Sequence, residues 1–310
     1  MRKPFIKHLK EFGLQWDLQI MVIPALLLVI VFAYLPLYGL VMAFQDFRLG
    51  DSIGLSRWVG FEHFVMFYNS PNFWEIIRNT FAISFLKLFF VFPMPIILAL
   101  ILNEVRSIKF KRTVQTISYL PHFISWVVVA GIMLDLMSPH GTLNSLLMSA
   151  GIIDSPITFM GNPNYFWSIV VITDIWKGIG WGAIIFIAAI STINPELYQA
   201  ASIDGAGRLR KIWHITLAGL KPTIIILLIL TVGNMLQSSF EQILLLTNNL
   251  GNMMVFERSE ILDTHIFRVG LTNMRYSYAS AIGLFKSITS ISLLLVVNFG
   301  GKKLFGESLF

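Results

Sequence analysis

Long apolar runs, separated by short polar segments, dominate this chain of 310 residues. A helix needs about 20 consecutive apolar residues to cross the hydrocarbon core of a bilayer. Six segments reach that length, at residues 18–44, 75–102, 114–137, 165–193, 218–247 and 277–300. The short alternating segments of membrane β-barrels do not occur in the sequence. The pattern therefore predicts an all-α integral membrane protein with six transmembrane helices.

The placement of basic residues predicts the orientation of these helices. With the N-terminus inside, the cytoplasmic segments hold most of the 23 Lys and Arg residues. Lys and Arg accumulate on the cytoplasmic side of membrane proteins, so both termini are predicted to be cytoplasmic. The apolar run that follows Asp17 is long and lacks a small-residue cleavage site. It is therefore interpreted as a retained first span and not as a signal peptide.

Composition narrows the possible functions further. Hydrophobic residues make up 55% and charged residues 13% of the chain, far from the balance of a soluble globular domain. Without cysteine, the chain has neither a disulfide framework nor a cysteine-based metal or redox site. The cytoplasmic segments account for the net charge of +6, so nucleic acid is not an expected partner. Residues 1–310 are predicted to form a single domain, because no linker to a second soluble domain is seen.

A polar, glycine-punctuated segment, residues 194–222, interrupts the apolar pattern after the fourth span. Asn194 can cap a helix there, and Pro195 is tolerated in its first turn. Gly205 then interrupts the helical composition, and residues 208–215 alternate basic and apolar side chains. This alternation predicts a second short helix along the membrane interface. Composition alone allows either a compact knob of two helices or a solvated cytoplasmic loop.

In the same segment, Gln199-Ala200-Ala201 is followed after three further residues by Gly205. This order resembles the cytoplasmic "EAA" loop of ABC importer permeases, with Gln199 where Glu is usual and Ala218 where Pro is usual. The resemblance implies a coupling loop, residues 194–217, that docks on a separate ATPase and carries its motion into the membrane. The residues implied in this coupling are Glu196, Leu197, Gln199, Ala200, Ala201, Asp204, Gly205, Ala206 and Arg208. The amide of Gln199 can still hydrogen-bond, and a nearby carboxylate can supply charge.

Five further motifs follow one another along the chain. They are Leu35-Pro36-Leu37-Tyr38-Gly39-Leu40, Phe92-Pro93-Met94-Pro95, Tyr119-Leu120-Pro121-His122-Phe123, Asp174-Ile175-Trp176-Lys177-Gly178 and Phe240-Glu241-Gln242-Ile243-Leu244. Together they resemble the LplB-type oligosaccharide permeases, relatives of the maltose-importer permeases, over almost the entire length. The resemblance implies an importer in a bacterial cytoplasmic membrane, built from this permease, a second homologous permease and two ATPase subunits. An extracellular solute-binding lipoprotein would deliver a carbohydrate, namely an oligosaccharide.

The energy source is expected to be external to this chain. No Gly-x-x-x-x-Gly-Lys-Ser/Thr motif occurs, so the chain is not expected to bind nucleotide itself. ATP and Mg would be used by the partner ATPase, and no cofactor is expected on this chain. An ion-gradient-driven secondary transporter is the alternative, because intramembrane Lys and Asp residues can serve coupling. The isolated His122 and His140 make no metal site, no catalytic residue is assigned, and the chain is not expected to be an enzyme.

A sugar pathway should combine hydrogen-bonding side chains with aromatic faces. In the fourth span, Asp174, Lys177 and Trp181 recur at helical intervals on one face, and Gly178 leaves room beside the backbone. In maltose-type permeases, the stretch that matches this part of the fourth span lines the sugar site, and the helix that matches the fifth span also lines the cavity. The pathway candidates are Asp174, Gly178, Trp181, Gln237, Ser238 and Glu241. Helix–helix hydrogen bonding is the alternative role for the polar residues of the fifth span.

Lys87, Lys177 and Lys286 fall deep inside predicted spans, where a charge is costly. Lys177 is the weaker pathway candidate, since it can be neutralised by Asp174 three positions earlier. For Lys87 and Lys286, pairing with a carboxylate is the favoured interpretation. Residues 248–276 mix charged and apolar side chains and are expected to form either an amphipathic helix on the membrane surface or a solvated loop.

Overall fold

The structure is a computed structural model that describes residues 15–237 and 239–305. In this part of the chain the secondary structure is helical, apart from one isolated antiparallel bridge between Gln45 and Trp58. The principal helices are α1 (Trp16–Phe44), α2 (Glu62–Tyr68), α3 (Phe73–Glu104), α4 (Ile108–Phe123), α5 (Trp126–Leu136), α6 (Thr142–Ser149), α7 (Pro163–Ser191), α8 (Pro195–Ile203), α9 (Arg208–Asn234), α10 (Phe240–Leu246), α11 (Leu262–Phe267) and α12 (Tyr276–Phe305). The predicted all-α class is confirmed.

Five of the described helices are long and apolar enough to cross a membrane, namely α1, α3, α7, α9 and α12. A sixth candidate span exists only if α4 and α5 are taken together, and these two helices meet at 102°. The predicted third span, 114–137, is therefore not one continuous helix. Ile124 and Ser125 are extended, and Ser125 begins α5 by accepting a hydrogen bond from Val128 N at 3.4 Å. A serine cap of this kind starts a new helix.

The region of the predicted fifth span also differs from the prediction. Residues 208–215 do not form a separate interfacial helix but are the first turns of α9, which runs continuously to Asn234. Neither Gly nor Pro occurs between 208 and 216, so nothing in the sequence interrupts the helix there. The predicted span 218–247 is instead divided, because α9 ends at Asn234 and α10 begins at Phe240.

The segment 248–276 is neither a surface helix nor a solvated loop. It contains α11, in which Leu262, Thr264 and His265 are buried. Asn79 of α3 donates to the carbonyl oxygens of Glu257 and Glu260, at 2.8 and 3.1 Å. These contacts fix the segment to one end of the helix bundle.

The core of the bundle lies around α7. Near its C-terminal end, α7 packs with α3 and α9 in a cluster of buried side chains comprising Ile96, Ala99, Ala183, Phe186, Ile190 and Leu220. Near its N-terminal end it packs with α3, α5 and α10, where Phe166 and Ile243 are fully buried. In contrast, the most apolar window of α1 buries none of its residues within this chain. The helix α7 is thus the element that positions the candidate site.

Candidate functional site

The first candidate site is the knob, which we define as residues 194–207 around α8. Asn194 Oδ1 accepts a hydrogen bond from Glu196 N at 3.0 Å, and Pro195 occupies the first helical position. At the other end Gly205 has a φ of +76°, with its N–H donating to Ser202 O at 3.1 Å. The N–H of Ala206 donates to Ala201 O at 2.8 Å. This pair of hydrogen bonds is the Schellman arrangement, which favours glycine at the left-handed position. The predicted start and end of the first knob helix are therefore observed.

Two side-chain contacts fasten the knob to α9. The hydroxyls of Tyr198 and Thr216 lie 3.0 Å apart, and Lys211 Nζ donates to Ser202 Oγ at 2.6 Å. The sequence interpretation missed both contacts, because each joins residues on different helices. A signal was nevertheless present in Tyr198, an aromatic residue with a polar tip inside a short polar helix. The contacts make the knob and the first turns of α9 one unit.

Most of the predicted coupling residues are exposed on the surface of this unit. Glu196, Leu197, Gln199, Asp204 and Arg208 are all exposed. Apolar side chains are exposed beside them, with Ile203 at 87% and Leu209 at 82%. A cavity of about 410 Å³ opens between the knob and α9 and is lined by Ala201, Asp204, Ala206, Arg210, Lys211, His214 and Ile215. Exposed apolar residues around a polar cleft are typical of a surface that binds another protein.

The second candidate site lies inside the bundle and contains Asp174. Its Oδ2 atom lies 3.0 Å from Lys87 Nζ, and Lys87 also donates to Gln242 Oε1 at 2.8 Å. Gln242 Nε2 in turn donates to Val170 O and Thr173 Oγ1, both at 2.7 Å. The favoured pairing of Lys87 with a carboxylate is thus observed, and its partner is Asp174. Gln242 was missed, although a buried amide in an apolar run requires partners.

Lys177 does not serve mainly to neutralise Asp174. Its Nζ atom donates to three backbone carbonyl oxygens where α4 ends, those of Pro121, His122 and Ile124, at 3.3, 2.8 and 2.6 Å. The neighbouring Trp181 stacks on His122, with ring centroids 4.5 Å apart and planes 1° from parallel. From the sequence His122 was interpreted as isolated, because its contact partner, Trp181, lies on another helix.

The remaining pathway candidates lie in different surroundings. Gly178 faces open space, since a Cβ atom added there would meet nothing within 4 Å. Gln237 lines a cavity of about 730 Å³ together with Phe240, Tyr276 and the ion pair of Lys286 with Asp263. Pairing with a carboxylate was the interpretation favoured for Lys286 from the sequence, and Asp263 is the partner.

The six candidates are therefore not gathered in one cavity. Asp174 lines a separate cavity of about 450 Å³ between α3, α7 and α9. Glu241 is exposed, and Ser238 lies outside the described residues. Among residues 15–237 and 239–305, no group of three or more His, Asp or Glu side chains could hold a metal ion.

Comparison with known proteins gives a consistent result. Residues 18–304 match the family described as binding-protein-dependent transport system inner membrane component. The chain is 42% identical over 294 residues to protein LplB of Bacillus subtilis (strain 168), covering 94% of this chain and 91% of that protein. It is 41% identical over 291 residues to YteP of the same organism, a polygalacturonan/rhamnogalacturonan transport system permease protein, covering 94% and 88%.

A solved structure is similar along nearly the whole chain. It is that of a bacterial ABC transporter involved in the import of the acidic polysaccharide alginate, with a TM-score of 0.88 and 38% identity, covering 96% of this chain and 99% of that one. A second structure of the bacterial alginate transporter, in complex with a periplasmic protein bound to alginate pentasaccharide, also has a TM-score of 0.88 and 38% identity. It covers 97% of this chain and 99% of that chain.

Proposed function

The chain belongs to the family of binding-protein-dependent transport system inner membrane components, and we propose that its cargo is an oligosaccharide delivered by an extracellular binding protein. It is a multi-pass permease of the bacterial cytoplasmic membrane and part of an ABC importer for carbohydrate uptake. This family membership replaces the alternative of an ion-gradient-driven secondary transporter. The observation that carries the proposed cargo is the similarity, at 38% identity and a TM-score of 0.88, to a permease whose importer takes up alginate.

In the proposed assembly, this permease pairs with a second homologous permease and two ATPase subunits. The ATPases use ATP and Mg, whereas this chain is a transport subunit, binds no cofactor and catalyses no reaction. The knob is the contact with one ATPase. This proposed contact is supported by the exposed apolar side chains of Leu197, Ile203 and Leu209, which lie beside the polar side chains of Glu196 and Gln199.

The knob is suited to transmit motion because it is fastened to a long helix. The contacts of Tyr198 with Thr216 and of Lys211 with Ser202 join α8 to α9. A displacement of α8 by the ATPase therefore moves α9, whose far end at Asn234 lies beside the cavity lined by Asp174. We propose that residues 194–217 carry the ATPase motion along this route.

The proposed sugar pathway keeps the six candidates Asp174, Gly178, Trp181, Gln237, Ser238 and Glu241. Trp181 is 44% exposed and offers an aromatic face, and Gly178 leaves open space beside it. Asp174 is held by Lys87, which compensates its charge within the membrane. Gln237 and Glu241 are exposed hydrogen-bonding groups next to the break between α9 and α10.

The proposed function is tested by purifying the chain with its natural partners and reconstituting the complex in liposomes. Uptake of radiolabelled alginate and galacturonan oligosaccharides, and of neutral ones of the same length, is then measured. We expect uptake of at least one oligosaccharide to require ATP and the binding protein and to persist when ion gradients are dissipated. Deletion of residues 197–207 should abolish uptake and ATPase assembly while the helices still insert. Uptake that continues after ATP is exhausted would refute the assignment.

A further inference from the structure

The break between α4 and α5 creates a hydrogen-bonding problem inside a candidate membrane span. The last carbonyl groups of a helix have no partner within the helix. At the end of α4, Ile124 N donates to Pro121 O at 3.2 Å, which satisfies only part of this need. Backbone that breaks inside a candidate span needs hydrogen-bond partners from the protein or from a water-filled cavity. Donors from another element can satisfy the remaining carbonyl groups.

Lys177 of α7 supplies those donors. An ammonium group has three N–H donors, and Nζ of Lys177 lies within hydrogen-bonding distance of three carbonyl oxygens, those of Pro121, His122 and Ile124. A cation at a helix C-terminus also interacts favourably with the helix dipole. The same Nζ lies 5.5 Å from the centre of the Trp126 ring at the start of α5. Lys177 thus contacts both sides of the break.

A close backbone approach fixes α4 against α7 beside this lysine. A Cβ atom built on Gly180 would lie 2.1 Å from Ser118 O, so only glycine fits the contact. Lys177 and Gly180 lie three positions apart, on the same face of α7. Lys177 provides the donors and Gly180 the space, and both contacts hold the C-terminal part of α4 against α7.

The fixed end of α4 brings three aromatic rings together. The His122 and Trp181 rings are stacked, and Phe123 meets the Trp181 ring edge-on at 5.6 Å and 83°. We call His122, Phe123 and Trp181 the aromatic platform. Trp181 is 44% and Phe123 71% exposed, so the platform is accessible in this chain. Flat aromatic surfaces of this kind suit the C–H faces of pyranose rings.

The proposed function already places Trp181 on the sugar pathway, and we propose that Lys177 is the positioning residue that holds His122 and Phe123 against it. This inference rests on the proposed function. Lys177 does not itself bind the sugar, because its three donors are directed at backbone carbonyls. Its part in uptake is to hold the end of α4, so that His122 and Phe123 remain against Trp181.

The first measurement reports the geometry of the platform without any sugar. The reconstituted complex is labelled with 5-fluorotryptophan, and the ¹⁹F resonance of Trp181, one of eight tryptophans, is assigned with Trp181→Phe. In Lys177→Met we expect this resonance to shift and broaden, because the stack on His122 is lost. Lys177→Arg should keep the wild-type resonance. The matched control is Lys109→Met, the same change at the exposed opposite end of α4, and it should have no effect.

The second measurement is uptake of radiolabelled alginate and galacturonan pentasaccharides. Losing hydrogen bonds to a charged group should lower the uptake rate of Lys177→Met about tenfold or more, with Lys177→Arg restoring most of it. In a Trp181→Ala background, Lys177→Met should add little, because both changes remove the same platform. If Lys177→Met does not assemble, Lys177→Gln, which keeps two N–H donors, takes its place.

The outcomes separate the two proposals. An unchanged Trp181 resonance in Lys177→Met, or additive losses in the double variant, would overturn the positioning role. If the wild-type complex takes up neither pentasaccharide but transports a neutral oligosaccharide, the double-variant cycle is run with that sugar. If it transports no oligosaccharide, the proposed cargo and the place of Trp181 on the sugar pathway both fail, whereas the resonance still decides whether Lys177 fixes the end of α4.

Discussion

The helices α8 and α4 end in different surroundings, and their C-terminal carbonyl groups find different partners. α8 ends in the exposed knob, where the N–H groups of Gly205 and Ala206 turn back onto the last turn of their own helix. α4 ends inside a candidate membrane span, where the donors come from Lys177, between 53 and 56 positions away in sequence. The same chemical need is thus met locally in one region and by a distant helix in the other.

This difference follows from the solvent around each helix end. At an exposed helix end, water can bond any carbonyl that the chain leaves free, so the local glycine motif only has to direct the chain. Within a bilayer, a backbone group needs a partner from the protein unless it lines a water-filled cavity. Changes to the intramembrane contacts should therefore lower the stability of the complex more than changes to the knob do. This difference can be measured.

Replacing Lys87 by Met should have the largest effect among these changes. Lys87 is the cation held 3.0 Å from Asp174, and the side chains are 8% and 24% exposed. Removing one partner of a buried ion pair costs about 3–5 kcal/mol, because the other charge stays buried. We expect the variant complex in nanodiscs to assemble poorly or to unfold at a much lower temperature, as measured by differential scanning fluorimetry.

The control for this prediction removes both charges. In Lys87→Met combined with Asp174→Asn, no buried charge is left without its partner, and most of the stability should return. A double variant as unstable as Lys87→Met would contradict the explanation, since the loss would then arise from packing and not from charge.

How much of the molecule could be predicted depends on the same distinction between local and distant contacts. The cap of α8 at Asn194 and the termination of α8 before Gly205 follow from local chemistry, and the sequence predicted both. The pairing of Lys87 was also predicted, since any charge in a membrane needs a partner. The identity of the partner, Asp174, was not predicted, because that contact depends on how α3 and α7 pack.

The broken third span shows why the rest of the site was not predicted. Residues 114–137 are apolar enough for one span, and Pro121 is tolerated in some membrane helices. At the break, backbone carbonyl groups accept hydrogen bonds from Lys177 of α7, and sequence spacing does not reveal that neighbour. For the same reason His122 looked isolated until the fold placed it on Trp181.

Replacing Gly180 by Ala should have the next largest effect. The added Cβ would lie 2.1 Å from Ser118 O and 2.3 Å from Ser118 C, so α4 and α7 must separate. Forcing an extra methyl group into a packed contact costs about 1–3 kcal/mol. We expect a clear fall in the unfolding temperature of the complex, whereas Gly178→Ala, two positions earlier, should leave that temperature unchanged because its Cβ meets open space. Equal falls in both variants would show that the backbone contact with Ser118 is not what matters.

Replacing Gly205 by Val should have the smallest effect of the three and should be confined to the knob. An added Cβ at Gly205 meets nothing within 4 Å, so the cost arises only from its φ of +76°. A left-handed conformation costs a residue other than glycine about 1–2 kcal/mol. We expect the unfolding temperature of the bundle to stay near the wild-type value while the affinity for the ATPase, measured by titration of the reconstituted complex, falls by at most about 5- to 30-fold. Gly60→Val is the matched control, because Gly60 also has a positive φ, +60°, and open space around an added Cβ but lies outside the knob; this variant should leave the affinity for the ATPase unchanged. If Gly205→Val instead destabilised the bundle as much as Gly180→Ala, the distinction between a locally capped knob and a core held by distant contacts would be wrong.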